Sequence, residues 1–272
     1  MNVTEKILFL GTGHATVTRC YNTCFILKCG DYSLLVDGGG GNTILNNLTA
    51  SGVALSDISG IFVTHTHIDH LLGILWILRM IGEDSLEGKY SGSCIVYGSN
   101  DTLNVIDYIC RHTLSSAVLH SMLQRVTLYK TSHLDKVELD TKFSLMPIEV
   151  GEIVGQQLGF KATMPSGKVL VCLGDTPCKE QHILFASGAD WLLCEAFCLD
   201  KDKSRYHPNN LGHETVIDAA TFAEKANVKN LVLYHTNDFC LSERKITYTE
   251  EARTKYSGKI YVPDDLECII CK

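Results

Sequence analysis

The stretch Ile61-Phe-Val-Thr-His65-Thr-His67-Ile-Asp69-His70 decides how this chain is read. An apolar, β-branched segment breaks there into three histidines and one aspartate within six residues. His65 and His67 stand two apart, so on an extended backbone they project to the same side. Asp69 and His70 follow at once, ahead of the apolar run Leu71-Leu-Gly-Ile-Leu-Trp-Ile-Leu-Arg79, whose pattern predicts a helix. Imidazole and carboxylate are ligands that zinc, manganese and iron accept, and four of them at a strand–helix junction can serve two ions. The plain alternative is a polar loop that is merely rich in histidine. It fits less well, because the spacing also matches a known motif.

His-x-His-x-Asp-His after an apolar strand resembles the signature of the metallo-β-lactamase fold. The resemblance implies an α/β protein built as a four-layer αββα sandwich, with a site for one or two metal ions along one edge. It further implies a bridging aspartate and a last histidine, each at a strand end and in that order. Val169-Leu-Val-Cys-Leu-Gly174-Asp175-Thr176 and Leu231-Val-Leu-Tyr-His235-Thr236 offer them. On this resemblance Asp175 bridges both ions and His235 completes the second. Leu8-Phe-Leu-Gly-Thr-Gly13 and Ser33-Leu-Leu-Val-Asp37-Gly-Gly-Gly-Gly41 look like the opening strands of the fold, their glycines read as tight turns near the metal edge. Gly11-Thr-Gly13 lacks the third glycine of a dinucleotide fingerprint and no helix pattern follows, which argues against a Rossmann reading.

The C-terminal third narrows the choice. Ala189-Asp-Trp-Leu-Leu-Cys-Glu195-Ala-Phe197 is followed by His213-Glu-Thr215, a helical pattern from Ala219 to Ala226, and the His235 strand. This succession resembles the ribonuclease Z branch of nucleases and phosphodiesterases, from Leu8 to Ile269. By that resemblance Glu195 orients His213, and His213 gives a proton to the leaving oxygen. A histidine near neutral pKa suits an alkoxide leaving group, and a carboxylate partner fixes its tautomer. A surface ion pair or a helix cap is the plainer reading of the same two residues.

Two departures from the branch bear on function. Its members carry one more metal-binding histidine between the first motif and the Gly-Asp pair. Here the corresponding stretch, Phe143 to Phe160, holds no histidine. Glu152 lies closest to the expected place, Glu149 is the next candidate, and His133 comes too early. A carboxylate there would shift the preference toward manganese or iron, unless the first site is incomplete. Bacterial ribonuclease Z enzymes that trim transfer-RNA precursors also carry a long arm ahead of the Gly-Asp motif. The segment from Glu152 to Asp175 leaves no room for one.

Composition points the same way. The formal net charge is −7, with 24 Lys and Arg against 31 Asp and Glu, whereas an RNA track needs a basic patch. A length of 272 residues with no linker or low-complexity segment predicts one domain over residues 1–272. No apolar run approaches a membrane span, and none resembles a signal peptide, so a cytoplasmic protein is expected. The twelve cysteines then read as reduced thiols packed as small apolar residues. If Cys268-Ile-Ile-Cys271 lies on a strand, its thiols face opposite ways.

The expected chemistry is metal-assisted hydrolysis of a phosphodiester. The metal ligands expected are His65, His67, Asp69, His70, Asp175 and His235, with Glu152 for the missing histidine. The catalytic residues expected are Asp69, His213 and Glu195. The cofactor is one or two divalent ions, zinc or else manganese or iron. The substrate is a small or cyclic phosphodiester, a nucleotide or an RNA end, with no membrane partner; a homodimer is allowed by the resemblance. Rival readings are transfer-RNA maturation proper, a lactone or thioester hydrolase of the same fold, and a non-catalytic metal- or nucleotide-binding relative.

Overall fold

Apolar runs such as Leu231-Val-Leu-Tyr234 are continuous rather than alternating, which a strand tolerates only when both of its faces are covered. In the computed structural model, which describes residues 4–152 and 155–271 apart from the Glu152 side chain, fourteen strands form two seven-stranded sheets. The first contains β1 (Glu5–Gly11), β2 (Cys24–Cys29), β3 (Tyr32–Val36), β4 (Gly60–Phe62), β5 (Cys94–Gly98) and β6 (Val126–Lys130). The second contains β7 (Val137–Asp140), β8 (Phe143–Glu152), β9 (Gln156–Thr163), β10 (Val169–Cys172), β11 (Trp191–Glu195), β12 (Asn230–Tyr234) and β13 (Lys259–Tyr261). The last strand, β14 (Cys268–Ile270), returns to the first sheet and pairs antiparallel with β1. Strands β3 to β6 run parallel, as do β10 to β13, so each sheet has one end where parallel strands stop together.

Residue alternation assigns the layers. Ile7 and Phe9 of β1 meet Trp191 and Leu193 of β11 and Val232 and Tyr234 of β12 in a core between the sheets. Their neighbours Leu8 and Leu10 face outward onto α1 (Thr43–Ala50), α2 (Ile68–Leu86), α3 (Asn100–Thr113) and α4 (Ser116–Leu123). On the far side, Leu192, Cys194, Leu231 and Leu233 pack on the single turn α5 (Ile183–Ala186), then, beyond the short α6 (Lys203–Tyr206), on α7 (Val216–Lys225) and α8 (Arg244–Arg253). The order helix, sheet, sheet, helix is the αββα sandwich expected from the sequence.

Helix α2 begins at Ile68, with His67 as its N-cap residue, and runs to Leu86, past the apolar run that announced it. Its polar tail stays helical because Ile81 is buried and Gly82 lies so close to α4 that a Cβ there would meet Val118 O at 2.6 Å. The glycines after β3 allow close approach as well as turning. A Cβ on Gly73 of α2 would fall 1.8 Å from Gly38 O, and Gly38 N donates to His70 O at 2.8 Å. Removing both side chains lets the first turns of α2 press against the loop that leaves β3.

All twelve cysteines are free, and most are buried. Cys268 is exposed and Cys271 buried, so that pair does face opposite sides. Among the described residues no helix is long and apolar enough to cross a membrane.

Candidate metal centre

In α/β proteins, ligands gather where parallel strands end, because loops from several strands converge there. Asp37 follows β3, Thr64 and His65 follow β4, Asp175 follows β10, Glu195 closes β11 and His235 follows β12. Backbone bonds from His14 N to Thr236 O (3.0 Å) and from Leu158 N to Thr64 O (2.9 Å) lock the two sheets together at this edge. Asp37 and His235 both have positive φ, 57° and 54°. That conformation costs a side-chain-bearing residue about 1–3 kcal/mol and persists only where the surroundings enforce it.

The side chains form two groups. One is His65, His67 and Asp175; the other is Asp69, His70 and His235. Asp175 Oδ2 reaches between them, 3.5 Å from His65 Nε2, 3.4 Å from His70 Nε2 and 3.8 Å from His235 Nε2. Asp69 Oδ2 lies 3.4 Å from His70 Nε2 and 3.6 Å from His235 Nε2. The Nε2 atoms of His65, His70 and His235 are buried without a hydrogen-bond partner, an unusual state for buried nitrogen. Ligands bound at ~2.1 Å to one cation stand about 3 to 3.5 Å apart. The spacing and the orphaned nitrogens therefore fit divalent ions.

The two groups are unequal. Around Asp69, His70, His235 and the shared Asp175 oxygen, four donors converge; the other group offers three. Glu152 ends β8, paired with Gln156, but its side chain lies outside the described residues. Glu149 is turned elsewhere: Gln156 Nε2 donates to it at 3.2 Å, and it lines a separate pocket with His133 and His182. His133 accepts from Glu149 N at 3.0 Å and stands apart from both groups.

A second layer of contacts, most of it unread in the sequence, sets the histidine tautomers. Asp37 Oδ1 accepts from Thr64 N, and its Oδ2 accepts from Thr64 Oγ1 and His70 Nδ1, all at 2.8 Å. Because the Thr64 hydroxyl hydrogen is committed to Asp37, His65 Nδ1 donates to Thr64 Oγ1 at 2.9 Å. One carboxylate thus leaves Nε2 of both His65 and His70 free as lone-pair donors. Asn is also tolerated at positive φ, so Asp37→Asn is expected to fold. Its amide presents hydrogens to donors, which should weaken metal binding by about 10–100-fold. Titration against a chelating dye measures this.

The electrostatics suit a cation at His65, Asp69 and Asp175, whereas at His70 an ion must displace a proton. Burial, with help from His70 and His67, brings the His65 pKa down to about 4. Burial acts the same way on His70, but Asp175 and Asp37 outweigh it and hold that pKa well above its ordinary value. Asp69 is buried too, yet contacts from His235 and His70 keep its pKa below the carboxylate range. Asp175 stays ionised despite burial because His65 and His70 face it.

Glu195 and His213, paired in the sequence reading, meet here. Glu195 Oε2 lies 2.6 Å from His213 Nδ1 and 3.5 Å from His235 Nδ1. His213 stacks on Phe197, ring centroids 5.1 Å apart, and borders a cleft of about 480 Å³ with His67, Asp69, Asp175 and His235. Burial pushes the Glu195 pKa well up, aided by Glu214 and Asp175, and pulls that of His213 down to about 3, aided by His235. Burial thus disfavours the charged form of each partner. His14 was missed by the sequence reading: buried, its ring 6.3 Å from that of His235, it carries no signal beyond following Gly-Thr-Gly.

Comparison with known proteins agrees with the geometry. Residues 5–87 match the family model described as "Anti-Pycsar protein Apyc1". The chain is 27% identical over 310 residues to ribonuclease Z of Pseudomonas putida, covering 96% of this chain and 95% of the relative. Among solved structures, the metallo-β-lactamase fold protein YhfI of Bacillus subtilis superposes with TM-score 0.79 at 19% identity, covering 98% of this chain and 99% of that one. Human tRNase Z, short form, superposes with TM-score 0.75 at 22% identity, covering 97% and 98%. The chain has the metallo-β-lactamase fold, and its sequence is ribonuclease Z-like.

Proposed function

We propose that this ribonuclease Z-like chain is a metal-dependent phosphodiesterase acting on a small or cyclic phosphodiester, a nucleotide among them, or on an RNA end. The observation that carries the reading is the 2.6 Å Glu195–His213 contact set beside the convergent donors of Asp69, Asp175 and His235. His65, His67 and Asp175 would hold one divalent ion, and Asp69, His70, Asp175 and His235 would hold the other. Imidazole-rich sites suit zinc, and a further carboxylate at the first would tilt it toward manganese or iron. Bound there, the ions acidify water and neutralise charge on phosphoryl oxygens.

The chain's own groups do the rest. Asp69, kept ionised by His235 and His70, accepts a hydrogen from the attacking water and aims it. His213 presents Nε2–H to the leaving oxygen. As that proton leaves, the proton that burial favours on Glu195 passes to His213 Nδ1, so the imidazole stays neutral throughout. Ile68 and Ala15 border the cleft where the substrate enters.

The size of the substrate follows from what surrounds the cleft. Strands β8 and β9 are consecutive antiparallel neighbours, as are β9 and β10, and no RNA-gripping arm interrupts them among the described residues. With a net charge of −7, this favours a small diester over a folded transfer RNA. The test is hydrolysis of bis-p-nitrophenyl phosphate and of cyclic nucleotides by zinc- or manganese-loaded protein. Turnover should vanish with a chelator and return with the metal. Inertness toward every phosphodiester, alongside opening of a lactone or thioester, would refute the proposal.

A further inference from the structure

Behind the acid pair lies a cluster that the proposed reaction does not use. Cys178 follows Asp175 by three residues, Cys194 immediately precedes Glu195, and Glu214 immediately follows His213. The Cys178 and Cys194 sulfurs are 3.1 Å apart. Cys194 is fully buried and Cys178 is partly exposed. Glu214 is buried against them: its Oε2 accepts from Cys178 N at 2.9 Å, its carboxyl also meets the Cys178 thiol, and its Oε1 has no partner.

Two occupants would move these sulfurs in opposite directions. Two thiolates on one tetrahedral zinc, each at ~2.3 Å, stand about 3.8 Å apart, farther than these sulfurs. A zinc would push the sulfurs about 0.7 Å apart, whereas a disulfide at ~2.05 Å would close them by about 1 Å, the direction in which they already stand, inside ordinary sulfur–sulfur contact. We propose that Cys178 and Cys194 form a peroxide-responsive disulfide that reports oxidation to the Glu195–His213 pair.

The chemistry balances with a peroxide as oxidant. Cys178, the less buried residue of the two, attacks a peroxide oxygen with its sulfur. With hydrogen peroxide the O–O bond breaks, leaving a sulfenic acid, and the departing hydroxide takes the Cys178 thiol proton as one water. The Cys194 sulfur then attacks the Cys178 sulfur, forming the S–S bond. Hydroxide departs and takes the Cys194 proton as a second water. Two thiols lose two electrons, and the peroxide gains them. The bond ties the loop carrying Asp175 to the end of β11 carrying Glu195. Loss of turnover on oxidation rests on the proposed reaction; the cross-link itself does not.

The experiment treats reduced, metal-loaded protein with one equivalent of hydrogen peroxide, then alkylates, digests with trypsin and maps disulfides by mass spectrometry. Val169–Lys179 should appear joined to the peptide running from Glu180 to Lys201, with fragmentation assigning the link to Cys178 and Cys194 rather than Cys172 and Cys198. It should form ahead of oxidation at the exposed Cys268, reverse with dithiothreitol, and lower turnover several-fold. C178S and C194S should each abolish the link, and C268S should leave it. The proposal is overturned if both thiols stay alkylatable while Cys268 oxidises, or if C178S protein holds one zinc fewer than the parent. Cross-linking without loss of turnover would overturn the connection to the acid pair. Mapping the unmutated protein needs no variant to fold.

Discussion

Asp175→Ala is expected to cost about 10³-fold or more in kcat/KM for a phosphodiester, the equivalent of roughly 4 kcal/mol of transition-state stabilisation. Among the described residues its Oδ2 is the one oxygen that stands between both ligand groups, facing nitrogen of His65, His70 and His235. Removing it takes a donor from each group at once and withdraws the charge that balances His70. Gly174, at φ 70°, supplies the left-handed turn there, so alanine at 175 leaves the backbone unstrained. The loss should therefore appear in a folded protein, with metal content reduced by at least one ion on elemental analysis. Full metal content with near-parental turnover would rule out the bridging role.

His213→Ala should show a different signature, one that depends on the leaving group. A nucleoside alkoxide needs a proton to depart, so kcat for such diesters should fall about 10²–10⁴-fold. The p-nitrophenolate ion departs without one, so bis-p-nitrophenyl phosphate should be hydrolysed nearly as before. Metal content should not change, because His213 enters neither of the two groups around Asp175 and Asp69. Comparing the two substrates on the same preparation is the check. Equal, small losses on both would remove the acid role of the Glu195–His213 pair and move the protein toward lactone or thioester hydrolysis.

The sequence was most legible where the chemistry is local. His65, His67, Asp69 and His70 are contiguous, and the strand and helix flanking them announce the junction. Asp175 and His235 were legible because each ends an apolar strand, and Glu195 and His213 because they fall in the order of the ribonuclease Z branch. Asp37 was not read as a site residue: before four glycines it looks like the start of a turn. Only the parallel placement of β3 beside β4 lays its carboxylate on Thr64 and His70. Three-residue strands such as β4, β13 and β14 are too short for a period to declare itself. The return of β14 to β1 links the two ends of the chain, a separation no local pattern encodes. The thiol pair was likewise invisible, since Cys178 lies in a loop and Cys194 reads as one more apolar residue of a buried strand.

The ligand array draws on both sheets: His65, His67, Asp69 and His70 come from the first, Asp175 and His235 from the second. Those residues lie far apart along the chain and come within reach of one ion only after the sandwich has closed. An ion that binds the native arrangement and not the open chain adds RT ln(1 + [M]/Kd) to the free energy of unfolding. An ion bound there would thus act as a clasp across a topology rich in distant pairings, the kind that tends to fold slowly. Metal supply would then govern how firmly the halves stay shut as well as whether the edge between them can react.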